Sequence, residues 1–266
     1  MDKKQADASA RTYTDHTFVI CAYKESEYLE TCIRSIMRQT VTSFVLMVTS
    51  TPNEHIRGLA RKYGIPLIVR EGQSNIKDDW NAAYDAAATK WVTVAHQDDI
   101  YSKKYLEVMH ETVTKYKVAP MAFVSDYRPV DADGNYFENA NSRIRRLLRT
   151  PLRIKSLSDV KVVKKAILAL GNSICCPAVT YNKEMLGDSY FTSDKSFNID
   201  WDTFLKMAGE KGAWAYSPKI LLLYRMHKDA TSKEFIDDGG RAKEDREMFL
   251  KFWPKPVVDV LMKFYT

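Results

Sequence analysis

Two adjacent carboxylates, Asp98 and Asp99, end the tetrapeptide His96-Gln97-Asp98-Asp99, which follows the apolar run Trp91-Val92-Thr93-Val94-Ala95 and precedes Ile100-Tyr101. A short apolar run of this kind reads as a buried strand. Side chains at the carboxyl end of a strand in an open α/β sheet face the crevice where ligands bind. An oxygen-rich pair there suits Mg²⁺ or Mn²⁺ bridging phosphates. The competing reading is a solvated surface turn, because a short acidic motif alone specifies little.

The segments around this pair alternate between strand and helix patterns, as in a layered α/β sheet. Thr17 to Cys21 is an apolar run, and Ser26 is placed to cap a helix whose Leu29, Ile33, Ile36 and Met37 recur at helical spacing. Phe44 to Val48 reads as a second strand, Asn53 to Tyr63 as a helix ended by Gly64, and Ile65 to Val69 as a third strand. Asn75 caps a helix with Asp78 and Asp79 in its first turn and with Trp80, Ala83, Tyr84 and Ala87 on one face. Beyond the acidic pair come a helix over Tyr105 to Tyr116, a strand over Met121 to Val124, and a hairpin turn at Asp131-Ala132-Asp133-Gly134. The alternation then stops. Ser158 opens a helix with Val160, Val163, Ile167 and Leu170 on one face, ended by Gly171. A strand near Ala178 to Tyr181, a helix near Trp201 to Lys211 and a strand near Ile220 to Tyr224 follow, then two helices separated by Trp253-Pro254-Lys255-Pro256.

Composition bounds the function. The 266 residues, 45% hydrophobic and 12% aromatic, are enough for one large domain with a substantial core. No apolar stretch reaches the roughly 18 to 20 residues that cross a bilayer, and Met1 to His16 is polar without a signal-peptide core, so a cytoplasmic protein is expected. Cys21, Cys32, Cys175 and Cys176 lack zinc spacing and are expected as reduced thiols. The net charge of +6 is uneven: Arg143 to Lys165 holds nine basic residues against Asp159 alone. Such a stretch is either a solvated helix face or a contact for an anionic membrane surface or acidic substrate. Nucleic acid is excluded as the favoured partner, since no helix-turn-helix, zinc-finger or RNA-recognition signature accompanies the charge.

Over roughly Thr17 to His227 the chain resembles the GT-A type of glycosyltransferase and, within it, the inverting family 2. Phe18-Val19-Ile20-Cys21-Ala22-Tyr23-Lys24-Glu25-Ser26-Glu27-Tyr28-Leu29 is similar to that family's first strand and loop, and Cys32-Ile33-Arg34-Ser35-Ile36-Met37-Arg38-Gln39-Thr40 to its first helix. Asn81 in Trp80-Asn81-Ala82-Ala83 matches the asparagine before the acidic motif, and Gln97-Asp98-Asp99 the motif itself. Ile199-Asp200-Trp201-Asp202 resembles the segment whose aspartate is the catalytic base, and Leu223-Tyr224-Arg225-Met226-His227 the last strand and its loop.

The resemblance implies a mixed, mostly parallel Rossmann-like sheet with flanking helices and a C-terminal helical extension. It divides the chain into a polar extension (1–16), a transferase domain (17–227, with a nucleotide-sugar half to 125 and an acceptor half from 126) and a helical segment (228–266). It implies Asp200 as general base, and Asp98, Asp99 and His227 around Mg²⁺ or Mn²⁺. Cys21, Tyr23, Thr49, Lys77, Asn81, Gln97, Asp98, Asp99 and Arg225 would surround the donor, and Trp201 would stack on an acceptor sugar or pack in the core. Without the resemblance, Asp200 reads as an N-cap and His227 as a loop residue. Tyr23 either stacks on the donor base or packs beneath its loop.

Such residues suit sugar transfer from a nucleoside diphosphate. The departing diphosphate gains negative charge that a divalent cation neutralises, and the poorly nucleophilic acceptor hydroxyl needs a carboxylate to take its proton. Attack opposite the leaving group inverts the anomeric centre.

The chain departs from the family pattern in three places. Val48-Thr49-Ser50-Thr51-Pro52-Asn53 lacks the usual aspartate pair for the base, leaving Thr49 or Ser50 to contact a pyrimidine. Trp80 replaces the basic residue before Asn81, with Lys77 one turn earlier. His96 replaces the first carboxylate of the acidic motif and contacts either the donor or its own loop. A nucleotidyltransferase, P-loop or dinucleotide-binding enzyme is excluded by the absence of a glycine-rich loop between Cys21 and Leu29 or any equivalent string. The remaining rival is a non-catalytic nucleotide-sugar or carbohydrate-binding module on the same scaffold. The expected partners are a nucleotide sugar and a glycan, lipid-linked or other hydroxyl acceptor, in a role such as cell-surface polysaccharide synthesis. Arg143 to Lys165 is a candidate for peripheral membrane contact at the inner face, and the C-terminal helix packs on the body or on a second subunit.

Overall fold

The computed structural model describes residues 12–138, 140–227 and 240–265. Eight strands form one sheet in the order β3-β2-β1-β4-β7-β6-β8-β5: β1 (Thr12–Ala22), β2 (Thr42–Thr49), β3 (Leu67–Val69), β4 (Trp91–His96), β5 (Ile100–Tyr101), β6 (Ala122–Val130), β7 (Val179–Asn182) and β8 (Trp214–Arg225). The first four pair in parallel, β7 runs antiparallel between β4 and β6, and β6 and β8 are again parallel. Helices α1 (Leu29–Met37), α2 (Glu54–Tyr63), α3 (Ile76–Ala86) and α4 (Tyr105–Val113) connect the first half. The second half carries α5 (Ala140–Leu148), α6 (Lys161–Ala166), α7 (Lys183–Leu186), α8 (Ile199–Ala208), α9 (Gly240–Leu250) and α10 (Lys255–Tyr265).

Both faces of the sheet are covered, as the unbroken apolar runs require. Phe18 and Ile20 of β1 point into one core and Val19 into the other, all fully buried. Asn53 and Asn75 cap α2 and α3 by accepting from Ile56 N and Asp78 N, and Gly64 ends α2 in the left-handed region at φ 63°. β2 and β4 flank β1 on opposite sides, so the chain reverses direction of travel across the sheet there, and the loops after β1 and β4 open into the resulting crevice.

Several expectations change. β1 starts at Thr12 rather than Thr17, and His16 is a buried strand residue bonded to Ser43 and Thr93. Ser26 does not cap α1; Tyr28 holds that position, and the Ser26 hydroxyl is directed at Asp98. Met37 is exposed. The turn after β6 closes one isolated bridge, Val130 to Tyr136, instead of a hairpin ladder. The helix expected from Ser158 shortens to α6, with Val160 and Leu170 exposed, because Ser158 is buried and bonds Lys155 O.

The basic stretch is not one solvated face. Arg149 and Lys164 are buried, Lys164 donating to the carbonyls of Glu210 (2.9 Å) and Gly212 (2.7 Å). The charge that turns inward holds the acceptor half together and is withdrawn from any surface contact.

The C-terminal helices seal the base of α8. Glu244 of α9 accepts from the backbone N–H groups of Ser196, Phe197 and Asn198 at 2.7, 2.9 and 2.9 Å, doing from another element what a capping side chain would do locally. Asp245 accepts from Asn198 at 2.8 Å. Tyr265 of α10 lies on Phe249 (4.9 Å) and against Gly171, whose φ is 122°. A Cβ at Gly171 would come within 2.7 Å of the Tyr265 ring. Gly171→Ala is therefore expected to lower stability by about 1 to 3 kcal/mol through the left-handed backbone and the displaced ring. Thermal melts should show part of that loss recovered in Gly171→Ala/Tyr265→Ala, where the clash is gone and the backbone strain remains.

Candidate active site

The loop after β4 is built on three clamps. Gln97 accepts from Tyr23 N and donates to Tyr23 O, both at 2.9 Å, fixing it to the loop after β1. Arg225, at the end of β8, donates Nε to Asp98 O (3.0 Å) and one terminal nitrogen to Asp131 O (3.1 Å) and Ala132 O (2.6 Å). Its guanidinium stacks 4.4 Å from the Tyr28 ring centre, and its own N–H donates to Asp99 Oδ1 at 2.9 Å.

The two carboxylates thereby diverge. Asp99 is buried, facing the interior, with its Oδ2 unpartnered among the described residues, and burial first, then the neighbouring Asp98 charge, pushes its pKa well up. Asp98 stays partly exposed, accepting from Ser26 Oγ at 3.1 Å. His227 Nε2 lies 3.3 Å from Asp98 Oδ2, and the ring packs 4.8 Å from Tyr28. Neither ring nitrogen of this largely buried imidazole has a hydrogen-bond partner among the described residues. Such a pair, one carboxylate and one imidazole, supplies two potential ligands for a divalent cation, and no third His, Cys, Asp or Glu joins them among the described residues.

The other expected donor residues divide by direction. Asn81 spends both ends of its amide on the Phe191 backbone, accepting from N at 3.0 Å and donating to O at 2.9 Å, so it anchors the segment that leads to α8. Thr49 is buried and its hydroxyl accepts from Thr51 N. The half-buried Cys21 thiol reaches Asp79 O at 3.8 Å and is pushed up by burial and by Asp79. Tyr23 is partly exposed under the Lys24 ammonium, 4.9 Å from its ring centre. Lys77 is half-buried in the first turn of α3. His96 stacks on Trp80 at 5.0 Å, and burial drops its pKa to about 4, leaving it neutral at ordinary pH.

A carboxylate that motif reading did not single out as a site residue stands by Ser50. Asp79 of α3 accepts from Arg70 Nε (2.7 Å), Ser50 Oγ (2.9 Å) and Ser74 Oγ (2.9 Å) at the carboxyl ends of β2 and β3.

Asp200 sits in the first turn of α8. Its Oδ2 accepts from Asn172 Nδ2 and its Oδ1 from Trp201 N, both at 2.7 Å. Burial raises its pKa from 3.8 to about 6, against the lowering effect of these donors and of Arg145. Arg145 of α5 lies beside Tyr127 and Tyr265. Asp200 and the acidic loop share a floor: the buried Cys175 thiol and Tyr224 hydroxyl are pushed up chiefly by burial and, in both cases, by the carboxylates of Asp99 and Asp200 together. Trp201, the candidate acceptor platform, is instead a core residue. It is wholly buried, donates Nε1 to Leu168 O at 3.1 Å and packs on Phe249 at 5.2 Å, leaving no ring face for a sugar.

Asn172, Arg145 and Glu244 were invisible to motif reading, because each reaches the site from a segment distant in sequence and none sits in a recognisable string. The single available signal was the charge of Arg143 to Lys165, which says nothing about which of its members turns inward.

A curled α/β sheet with an acidic loop at its switch point and a carboxylate on the facing helix defines a GT-A glycosyltransferase architecture. The sequence profile of glycosyl transferase family 2 matches residues 17–168, and the chain belongs to that family. Among solved structures, TarS 1-349 of S. aureus in complex with UDP-GlcNAc is similar at TM-score 0.60 and 13% identity, covering 94% of this chain and 70% of that one. Glucosyl-3-phosphoglycerate synthase of Mycobacterium tuberculosis in complex with UDP is similar at TM-score 0.52 and 14% identity, covering 86% and 78%. No curated protein matches the chain in sequence. No helix among the described residues is long and apolar enough to cross a membrane.

Proposed function

We propose that the protein transfers a sugar from a nucleoside-diphosphate sugar to a hydroxyl acceptor with inversion, with Asp200 as general base. The observation that carries this reading is Asp200 itself: a partly exposed carboxylate raised to about 6, oriented by Asn172 and the Trp201 N–H, over a floor shared with the acidic loop. A pKa near the working pH is what a general base needs, since the group must be ionised yet still hold a proton. Oδ1 and Oδ2 each accept one fixed hydrogen bond, and each oxygen keeps a lone pair for the acceptor O–H.

Asp98 and His227 are the residues that would hold Mg²⁺ or Mn²⁺, which when bound would offset the charge developing on the diphosphate. The chain's own contribution there is positional: Arg225 and Gln97 fix the loop backbone, Ser26 orients the Asp98 carboxylate, and Asp99 bonds the β8 backbone from below. Arg225 in this reading positions the loop and does not bind the donor. In this reading Ser50 with Asp79 marks the base end of the crevice, and Lys77, in the first turn of α3, is a candidate cation for the phosphates. The UDP and UDP-GlcNAc in the similar structures favour a uridine donor. The acceptor would be a glycan or lipid-linked sugar, and the setting polysaccharide or glycoconjugate synthesis. Any peripheral membrane contact would fall to the exposed members of Arg143 to Lys165.

The test is a thermal-shift panel with UDP, dTDP and GDP, each with Mn²⁺, because a ligand that binds only the native state raises apparent stability. UDP is expected to raise the melting temperature of the unaltered protein by several degrees, and Asp98→Ala or His227→Ala to abolish the Mn²⁺-dependent part. A protein that responds to none of the three nucleotides is not a nucleotide-sugar transferase of this kind.

A further inference from the structure

Four cations converge away from this crevice. Lys115 beyond α4, Arg153 and Lys155 around the short 3-10 turn Thr150–Arg153, and Lys219 in the bend of β8 line a cavity of about 260 Å³, with Glu111 the only carboxylate among its lining residues. Tyr216 and Ser217 of β8, in its wall, pair with Val124 and Ser125 of β6, whereas Arg225 beside the acidic loop pairs with Val130. Six residues of strand separate the two places, roughly 20 Å.

The cavity is under-neutralised. No carboxylate among the described residues pairs with Lys115, Arg153, Lys155 or Lys219, although the chain carries 34 acidic residues. Lys155 Nζ donates to Lys115 O at 3.1 Å, which brings the two cationic segments together instead of letting them spread. Like charges gathered around a small concave volume focus a positive potential, and an anion is its complement.

We infer that the cavity between α4, the 3-10 turn and β8 is a second anion site that takes a phosphate-bearing group, held by Lys115, Arg153, Lys155 and Lys219. Phosphate oxygens diverge in several directions and accept from donors on separate elements, which a single flat carboxylate does less well. Two sources share that chemistry: a soluble phosphate or diphosphate, and the headgroup of an anionic lipid.

The experiment uses the full chain in EDTA, so that divalent cations play no part, and titrates inorganic pyrophosphate by calorimetry. Saturable binding is expected, weakened at least tenfold in Lys115→Gln/Arg153→Gln/Lys219→Gln. The triple variant Arg38→Gln/Lys211→Gln/Lys263→Gln removes equal charge from exposed positions elsewhere and is expected to bind like the unaltered chain. Absence of saturable binding, full binding in the cavity variant, or equal loss in both variants would overturn the site. Sedimentation with phosphatidylglycerol vesicles, compared with phosphatidylcholine, separates the sources: co-sedimentation lost in the cavity variant assigns a lipid headgroup. Pyrophosphate binding without co-sedimentation assigns a soluble phosphate.

Discussion

Asp200→Asn is expected to lower kcat by about 10² to 10⁴ while leaving donor affinity nearly unchanged, the size of effect that general-base assistance supplies. Asparagine has nearly the same shape but no basic oxygen, so the acceptor proton has nowhere to go as the new bond forms. The folded protein should not suffer. Burial raises the Asp200 pKa from 3.8 to about 6, so between those values the native state binds more protons than the unfolded chain. Stability then falls as pH rises through that window, and above about pH 6 the ionised carboxylate carries a constant penalty. A rise of that size corresponds to at most about 3 kcal/mol, reduced by about 1 kcal/mol for the accepted hydrogen bond that asparagine cannot keep. At pH 7 the variant should therefore melt at or above the temperature of the unaltered protein, with the difference moving against it by pH 4. Activity of the unaltered protein should fall on an acid limb near pH 6, measured as kcat in the ES complex. Full turnover by Asp200→Asn, or an acid limb near pH 4, would remove Asp200 from the role of base. Donor hydrolysis measured alongside distinguishes an enzyme from a binding module: tight nucleotide binding with no turnover in the unaltered protein would leave the module.

The nucleotide half was readable because its signals are local. Strand and helix alternate with periods set by neighbouring residues, and Asn53, Gly64 and Asn75 punctuate them with groups that bond three or four residues away. Asp98 and His227 do lie together, and Asp99 and Asp200 both act on the buried Cys175 and Tyr224. What a motif does not encode is the direction of each side chain. Thr49, Asn81, Gln97, Arg225 and Trp201 all occupy the expected elements, yet Thr49 turns inward, Trp201 is core, and the other three hold backbone together. A loop that must present one carboxylate has more work for its neighbours in holding it still than in touching ligand. The acceptor half was less readable for a different reason. Its elements are short, and their stability comes from long-range pairs such as Glu244 with the segment before α8, for which no window of sequence carries a signal.

The largest expected loss of stability lies in that half, at the pair formed by Asp126 and Arg149, which are 2% and 1% exposed. Asp126 sits where the register of β6 against β8 slips, and the irregularity aims its carboxylate at the end of α5. Arg149 donates Nε to Asp126 Oδ1 at 3.1 Å, bonds the same oxygen through a terminal nitrogen, reaches Ser173 O through the other, and lies 5.0 Å from the Tyr127 ring centre. Arg146 Nε approaches the second carboxylate oxygen at 3.7 Å. Asp126→Ala removes the counter-charge and leaves a guanidinium in the interior, which should cost about 3 to 5 kcal/mol. For a chain of this size, that is roughly 10 °C in melting temperature. Asp126→Ala/Arg149→Met is expected to recover much of the loss, because the pair as a whole gains little over apolar packing and the damage comes from orphaning one partner. Activity need not recover with it. Arg149 holds Ser173 O, and the adjacent Asn172 orients Asp200, so the double variant should fold well yet show reduced kcat with an unchanged nucleotide response. A double variant that regains both stability and full kcat would show that the buried pair serves packing alone and has no hold on the base.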